Sequence, residues 1–298
     1  MFARVDTKDP QAVAAEVQAA YREMFPAGDS GFISRAFGWA DECFNGRYPG
    51  YQANDARYHD FEHTLQVTLC MVRLLRGRHR VKNARPRLTQ RMFELGLLAI
   101  LLHDTGYLKR RGDNKGTGAK YTLIHVDRSG EFAAKFLRAR GFSKADIHAV
   151  QDMIHCTGVN VDLKTIPFES RLERIVGFAL STGDLLGQMA AEDYVEKLSR
   201  LYSEFDEAGR YEKDGSKGSA LGMFAGADDL MRKTPGFWQY YVLPKITKDF
   251  IGLYKFLNSP YPDGPNEYVQ RIEANVARVS RLVAQRDRNG NGHGAKEA

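Results

Sequence analysis

The stretch Leu97-Leu98-Ala99-Ile100-Leu101-Leu102-His103-Asp104 is an apolar run that ends abruptly in a histidine and an aspartate. The run carries no charge before its end, which predicts a helix buried on all sides, so His103 and Asp104 need polar partners in the interior. Adjacent helical residues point about 100° apart. We therefore expect Thr105-Gly106 to break the helix so that both side chains can face one metal ion. A buried His–Asp hydrogen bond at a helix end is the alternative interpretation.

A second histidine pair lies in Tyr58-His59-Asp60-Phe61-Glu62-His63, just ahead of an apolar stripe at helical spacing. The pattern predicts a helix that runs from Tyr58 to about Arg78. Because His59 and His63 are four residues apart, we expect their side chains on one face, about one turn from each other. Both could bind a metal, or one could bind it while the other donates a proton to a bound substrate. Two ordinary histidines at a helix N-terminus are the simpler alternative.

Composition limits the classes of function. The chain has 298 residues, and its 43 basic and 37 acidic residues give a formal charge of +6, without a dense basic stripe. This balance permits a small anionic ligand and does not favour a nucleic acid polymer. No stretch approaches the roughly 18 uninterrupted apolar residues of a membrane span, and the N-terminus lacks the apolar core of a signal peptide. We therefore expect a cytoplasmic protein without membrane contact, in which Cys43, Cys70 and Cys156 are reduced packing residues.

Three further polar residues lie on predicted helices. His125 is near the start of a helix expected over 122–140, and His155 is near the end of the next one, which Ser143 caps. Asp184 is a lone carboxylate in the strongly apolar stretch 171–189. A charge in such a run must be paired, neutralised or bound to metal.

The rest of the chain also has helical periodicity. No strand alternation, repeat or linker divides it, so the sequence predicts a single all-α domain over 1–285, followed by a disordered tail over 286–298. In the basic, glycine-rich segment 107–120, a solvated loop is favoured over a flap that covers an anionic substrate. The other predicted elements are helices over 11–25, 31–44, 88–104, 194–208 and 267–285, a polar loop over 211–219, and an aromatic-rich stretch over 237–257 that Pro244 interrupts.

The polar candidates together form a metal-ligand set of imidazoles and carboxylates. This mixture suits divalent Mn, Fe, Zn or Mg, and the absence of cysteine argues against a closed structural zinc site. The set is too large for one catalytic ion that must keep open positions, so it favours two ions bridged by Asp104. The candidate ligands are His63, His103, Asp104, His125, His155 and Asp184.

The order His, His-Asp, His, His, Asp resembles the HD-domain metal-dependent phosphohydrolases, which are all-helical. The motif Tyr58-His59-Asp60-Phe61-Glu62-His63 is similar to the Tyr-His-Asn-x-x-His motif of cyclic-nucleotide phosphodiesterases, except that Asp60 replaces Asn. The resemblance implies that His59 is the general acid and His63 a metal ligand. It also implies that His103, Asp104 and Asp184 complete the tightly held metal site and that Asp104 contacts the second ion.

The resemblance extends to later segments. His125, five residues before Gly130, looks like the family's histidine beside the second metal, and His155 matches the fourth histidine of dinuclear bacterial HD proteins. The segment 234–244 is similar to the one that clamps a purine ring, which implies that Phe237 stacks on the substrate. Thr234 stands where the phosphodiesterases have a purine-reading glutamine, and Tyr107 replaces a histidine near the metals.

These observations lead to a hypothesis of metal-dependent hydrolysis of a phosphoester, such as a nucleotide or cyclic nucleotide. Two divalent ions would activate a water molecule, and His59 would protonate the leaving oxygen. The expected partner is a small anionic phosphoester, and a homodimer is compatible with the sequence. An HD-type di-iron oxygenase and a non-catalytic nucleotide-binding regulatory module are the alternatives.

Overall fold

The computed structural model describes residues 2–211 and 224–291, which form ten α-helices joined by turns and short 3₁₀ and π segments. Within these ranges, strand-like pairing is confined to isolated bridges, so the predicted all-α fold is confirmed. No helix in the described ranges has both the length and the apolar character needed to cross a membrane. The helices are α1 (Pro10–Met24), α2 (Phe32–Phe44), α3 (Phe61–Arg80), α4 (Gln90–Leu102), α5 (His125–Arg138), α6 (Lys144–His155), α7 (Arg171–Met189), α8 (Tyr194–Tyr211), α9 (Ala227–Phe237) and α10 (Glu267–Asn291).

Helices α3 and α7 pack closely at the centre of the bundle because glycines of α7 face α3. A Cβ atom on Gly183 would lie 2.8 Å from Cβ of Met71, and one on Gly187 would lie 2.7 Å from Cα of Val67. Only residues without a side chain permit this approach of two helix backbones. The close packing brings the N-terminal turn of α3 next to the C-terminal half of α7, where Asp184 lies.

The apolar run that opened the sequence analysis forms the second half of α4. Its residues from Leu97 to Leu102 are each at most 1% exposed, as predicted for a helix buried on all sides. Thr89 caps the start of α4, since its hydroxyl accepts a hydrogen bond from the backbone N–H of Met92. The helix carries its C-terminal end, and the His-Asp pair that follows it, into the interior.

Two helix ends next to the predicted ligands differ from the prediction. The helix expected from Tyr58 begins at Phe61, because Asp60 has extended backbone angles and its carboxylate accepts from the N–H of His63. His59 therefore precedes the helix and does not share a helical face with His63. Helix α4 ends at Leu102, before Thr105-Gly106, because the Thr105 hydroxyl donates to the Leu102 carbonyl at 2.7 Å.

The C-terminal helix is longer than predicted. It continues to Asn291, into the expected tail over 286–298, because Arg286 and Asp287 form ion pairs with Asp228 and Arg232 of α9. Residues 292–298 of that tail lie outside the described residues. So does most of the expected polar loop over 211–219, because α8 includes Tyr211 and the description resumes at residue 224.

The predicted interruption at Pro244 is also wrong. Helix α9 includes Pro235 and ends at Phe237, where a π-helical segment, Trp238–Val242, continues it. Pro244 has helical backbone angles and lies just before a second π segment, Lys245–Asp249. The chain therefore turns helically through this aromatic-rich stretch, because the fixed φ of proline is compatible with helical geometry.

Candidate metal centre

Four of the predicted ligands converge from three parts of the bundle. The ligand atoms of His63 on α3, His103 after α4 and Asp184 on α7 all lie within 4.8 Å of one another. Oδ2 of Asp104 is 3.3 Å from Nε2 of both His63 and His103, and Oδ1 of Asp184 is 3.4 Å from Nε2 of His63. The arrangement places two carboxylates and two imidazoles around one small volume.

The backbone fixes which nitrogen of each imidazole faces this volume. Nδ1 of His103 is 2.7 Å from the carbonyl of Ile100, and Nδ1 of His125 is 2.6 Å from the carbonyl of Thr122. A carbonyl only accepts hydrogen bonds, so both rings carry a proton on Nδ1, and Nε2 is the nitrogen left to bind a metal ion. A neutral imidazole held in this way is a typical metal ligand.

Nε2 of His103 and Oδ2 of Asp104 are both buried, and neither atom has a hydrogen-bond partner among the described residues. A buried lone pair without a donor is costly, because it has lost its hydrogen bonds to water. A cation between the carboxylates and the imidazoles would satisfy both atoms at once. The residues present therefore fit a divalent metal ion.

The electrostatics of the cluster favour added positive charge. Burial alone would keep His63 neutral, but the adjacent negative carboxylates of Asp104 and Asp184 raise its pKa to about 10. Burial raises the pKa of Asp104, but the neighbouring His103 and His63 more than offset this and hold it well below its ordinary value. The two ionised carboxylates thus need a counter-charge, which a proton or a metal ion can supply.

A second group of rings borders the cluster. Nε2 of His125 lies 3.8 Å from Oδ1 of Asp104, whereas the other oxygen of this carboxylate, Oδ2, is the one next to His63. Burial lowers the pKa of His125, which keeps the imidazole neutral. The buried ring of Tyr107 stacks on His59 and on His125, with centroids 4.5 Å and 4.7 Å apart. Tyr107 therefore fixes both imidazoles beside Asp104.

Glu204 is a functional candidate that the sequence analysis missed. Its Oε2 is 2.6 Å from Nδ1 of His59, and its Oε1 accepts from the backbone N–H of Tyr58 at 2.7 Å. Glu204 lies on α8, and although its side chain is charged, it is only 2% exposed. One feature of the sequence indicates that Glu204 is buried. It shares a face of the helix with Leu201 and Ala208, where an apolar residue is expected.

Comparison with known proteins places the chain in a family. The Npun_R2479-like family matches residues 111–281, more than half of the chain. The chain belongs to the Npun_R2479-like family. The match includes Asp184, His125 and Glu204 and begins after His103 and Asp104. No curated protein matches the chain. The name of the family assigns no activity, so function must be argued from the site.

Three other predicted site residues of this Npun_R2479-like protein lie outside the cluster. His155 forms its ion pair with Asp127, at 3.8 Å, and no ion pair or hydrogen bond joins it to Asp104 or Asp184 in the described ranges. Thr234 is 4% exposed, and its hydroxyl donates to the carbonyl of Leu230 inside α9. The structure therefore gives no support to a contact between Thr234 and a substrate.

Phe237 has a different environment from Thr234. It is 42% exposed and stacks on Tyr241, with ring centroids 5.0 Å apart. The pKa of Tyr241 is raised to about 12, first by burial and then by the charge of Asp184. The stack therefore holds Phe237 at the protein surface.

In the basic segment over 107–120 of this Npun_R2479-like chain, two lysines form ion pairs with carboxylates. Lys109 is buried and forms an ion pair with Asp55 at 2.7 Å, and Lys120 forms one with Asp113 at 2.5 Å. These two lysines thus stabilise the loop, and their ammonium groups already have carboxylate partners.

Proposed function

We propose that this Npun_R2479-like protein is a metal-dependent phosphohydrolase with two divalent cations at the cluster. The observation that carries the proposal is the convergence of His63, His103, Asp104 and Asp184, with Nε2 of His103 and Oδ2 of Asp104 buried and unpartnered. The HD-type order of these residues in the chain supports the same reading. Imidazole with carboxylate suits Mn, Fe, Zn or Mg, and no thiolate is part of the cluster.

The two carboxylate oxygens of Asp104 face different partners. Oδ2 faces His63 and His103, whereas Oδ1 faces His125. We therefore assign His63, His103, Asp104 and Asp184 to one ion, and Asp104 with His125 to the second. When bound, such ions would polarise phosphoryl oxygens and make a water molecule more acidic.

His59 is positioned to hold the proton that the leaving oxygen needs. Its Nδ1 is tied to the carboxylate of Glu204, so Nε2 is the nitrogen left to donate. The ring lies close to the cluster, with its centroid 5.4 Å from that of His63 and 6.0 Å from that of His125. A nearby carboxylate stabilises the imidazolium that must exist before the proton is transferred.

The pairing of His59 with Glu204 favours hydrolysis over the two alternatives. A di-iron oxygenase needs the metal ligands but has no use for a proton donor beside them. A non-catalytic nucleotide-binding module needs neither the metal ligands nor the proton donor. A buried carboxylate that orients one imidazole next to a metal-ligand cluster is expected for acid catalysis of P–O bond cleavage.

The proposal is tested by elemental analysis of the purified protein together with hydrolysis of bis(p-nitrophenyl) phosphate and p-nitrophenyl phosphate. We expect about two equivalents of divalent metal, hydrolysis that a chelator abolishes, and loss of both in Asp104→Asn. His148→Ala is the matched control, because His148 is exposed on α6 away from the cluster's hydrogen bonds. Hydrolysis that persists without metal, or an Asp104→Asn variant with full metal and activity, would refute the proposal.

A further inference from the structure

A buried lysine joins helix α8 to the start of α3. Lys197 is 6% exposed, and its ammonium group lies 3.0 Å from Oε2 of Glu62 and 3.0 Å from Oδ2 of Asp193. Oδ2 of Asp60 is 3.9 Å away. Asp193 directly precedes α8, whereas Asp60 and Glu62 belong to the cap and the first turn of α3. The ion pairs therefore hold the start of α3 against α8.

The same turn of α3 carries a candidate metal ligand. Oδ1 of Asp60 accepts from the backbone N–H of His63 at 2.8 Å, and Nε2 of His63 faces the carboxylates of the cluster. The side-chain amide of Gln66 donates to Oε1 of Glu62 and to Oδ1 of Asp193, at 3.3 Å each. The backbone of His63 is therefore fixed by carboxylates that the lysine pairs.

One face of α8 holds both histidines of the segment 59–63. Glu204 lies seven residues after Lys197, which is about two helical turns, so the two side chains share a face of α8. Both residues are buried. Glu204 pairs with the ring of His59, and Lys197 pairs with the cap and the first turn that position His63. The same helix thus positions the candidate acid and a candidate ligand.

Without the ammonium group, three carboxylates would face one another. The side chains of Asp60, Glu62 and Asp193 are only 18% to 30% exposed, so water compensates their charges incompletely. We expect these carboxylates to turn towards solvent, which would take the first turn of α3 away from α8. Groups that orient a metal ligand from behind also set the affinity of the site for its metal.

We infer that Lys197 is a positioning residue of the candidate metal centre, and that its ion pairs with Asp60 and Glu62 set the position of the His63 imidazole at the first ion. The inference rests on the metal-binding part of the proposed function and does not depend on hydrolysis. It adds a residue outside the ligand set on which the affinity for metal depends. A lysine that only stabilised the fold would leave the surroundings of the bound ion unaltered.

Titration of the full chain with Co²⁺, after removal of metal by a chelator, tests the inference through the visible absorption of the bound ion. Lys197→Met keeps the length of the side chain and removes its charge, so we expect the affinity to fall about tenfold. The spectrum at saturation should shift as well, because it depends on the ligands and their geometry. Lys197→Arg keeps the charge and should recover most of the affinity and the original spectrum. If Lys197→Met does not fold, Glu62→Gln takes its place and should change both quantities in the same direction.

Lys120→Met is the matched control. The side chain of Lys120 is 8% exposed, against 7% for that of Lys197, and it pairs with Asp113 at 2.5 Å. Its contacts in the described ranges do not include the segment 59–63, so its affinity and spectrum should equal those of the unmodified protein. An unchanged affinity or spectrum in Lys197→Met, or an equal loss in Lys197→Arg or Lys120→Met, would overturn the inference and leave the proposed function standing. If the unmodified protein binds no Co²⁺, the proposed function is wrong as well.

Discussion

Nδ1 of His59 lies 2.6 Å from Oε2 of Glu204, which joins the segment before α3 to the buried face of α8. The carboxylate can only accept hydrogen bonds, so the contact fixes the proton on Nδ1 and sets the orientation of the ring. Glu204 also accepts from the backbone N–H groups of Tyr58 and His59. Burial raises the pKa of Glu204, but the His59 side chain first and then these backbone bonds hold it below the ordinary value. The pair is therefore a rigid unit.

The first prediction concerns Glu204→Gln, which keeps the shape of the side chain and removes its charge. We expect kcat for phosphoester hydrolysis to fall about 10-fold to 100-fold, because His59 loses the partner that orients it and stabilises its charged form. KM and metal content should change little.

Glu207→Gln is the control for this prediction. Glu207 lies one turn further along α8 and binds the backbone and hydroxyl of Thr117. It makes no hydrogen bond to His59 in the described ranges, so its removal should leave kcat unchanged. If Glu204→Gln has the same kcat as the unmodified protein, the assigned positioning role is wrong.

The second prediction concerns His59→Ala. Loss of a general acid typically costs about 10² to 10⁴ in rate, so kcat should fall by this factor. The metal content measured by elemental analysis should remain full, because the assigned ligands are all present. Undiminished turnover in a variant with full metal would exclude His59 as the acid.

The third prediction concerns stability in the presence of metal. A cation that binds only the folded state at about 100 times its Kd should raise the free energy of unfolding by about 2.7 kcal/mol. The expected cause is neutralisation of the buried carboxylates of Asp104 and Asp184. Urea unfolding with Mn²⁺ and with a chelator measures this difference. Asp184→Asn should lose most of it, and an equal gain in that variant would contradict the assigned ligand set.

Much of the bundle could be predicted from the sequence because apolar spacing dominates helix packing. Helix α1 begins and ends within one residue of the predicted range 11–25, and α7 has the predicted limits of 171–189. The cluster was also predictable to a large extent. His103, Asp104 and Asp184 each interrupt an apolar run, and such polar groups must find partners in the interior.

The remaining features depend on tertiary contacts that leave a weak trace in the sequence. The orientation of His59 follows from the cap at Asp60 and from Glu204, which is 145 residues away along the chain. His155 has helical spacing similar to that of a buried residue, but the end of α6 places it near Asp127 instead. Local periodicity cannot predict the orientation of His59 or the surroundings of His155, because both depend on which helix packs against these residues.

The fourth prediction concerns Gly106, which follows the His-Asp pair. A Cβ atom there would lie 2.0 Å from the carbonyl oxygen of His125, so Gly106→Ala must push α5 away from Asp104. We expect a loss of about 1–3 kcal/mol in the free energy of unfolding, together with weaker metal binding.

Gly38→Ala is the control, because nothing lies within 4 Å of its Cβ position on α2. It should stabilise the protein by about 0.5–1 kcal/mol. Equal effects of the two variants in urea unfolding would contradict the close approach.

The fifth prediction concerns Glu173, a buried carboxyl group on α7 outside the cluster. Burial, and next the charge of Asp152, raise its pKa from 4.5 to about 7, and its Oε1 has no hydrogen-bond partner in the described ranges. The folded state therefore binds the proton more tightly than the unfolded state. The stability from this group is fully present below pH 4.5 and is lost as the pH rises through 7.

Glu173→Gln should thus be more stable than the unmodified protein at pH 8, by about 2 kcal/mol, and the difference should shrink at pH 5. Glu131→Gln, at an exposed site on α5, should show no such dependence, and a difference for Glu173→Gln that is equal at both pH values would refute the effect of burial.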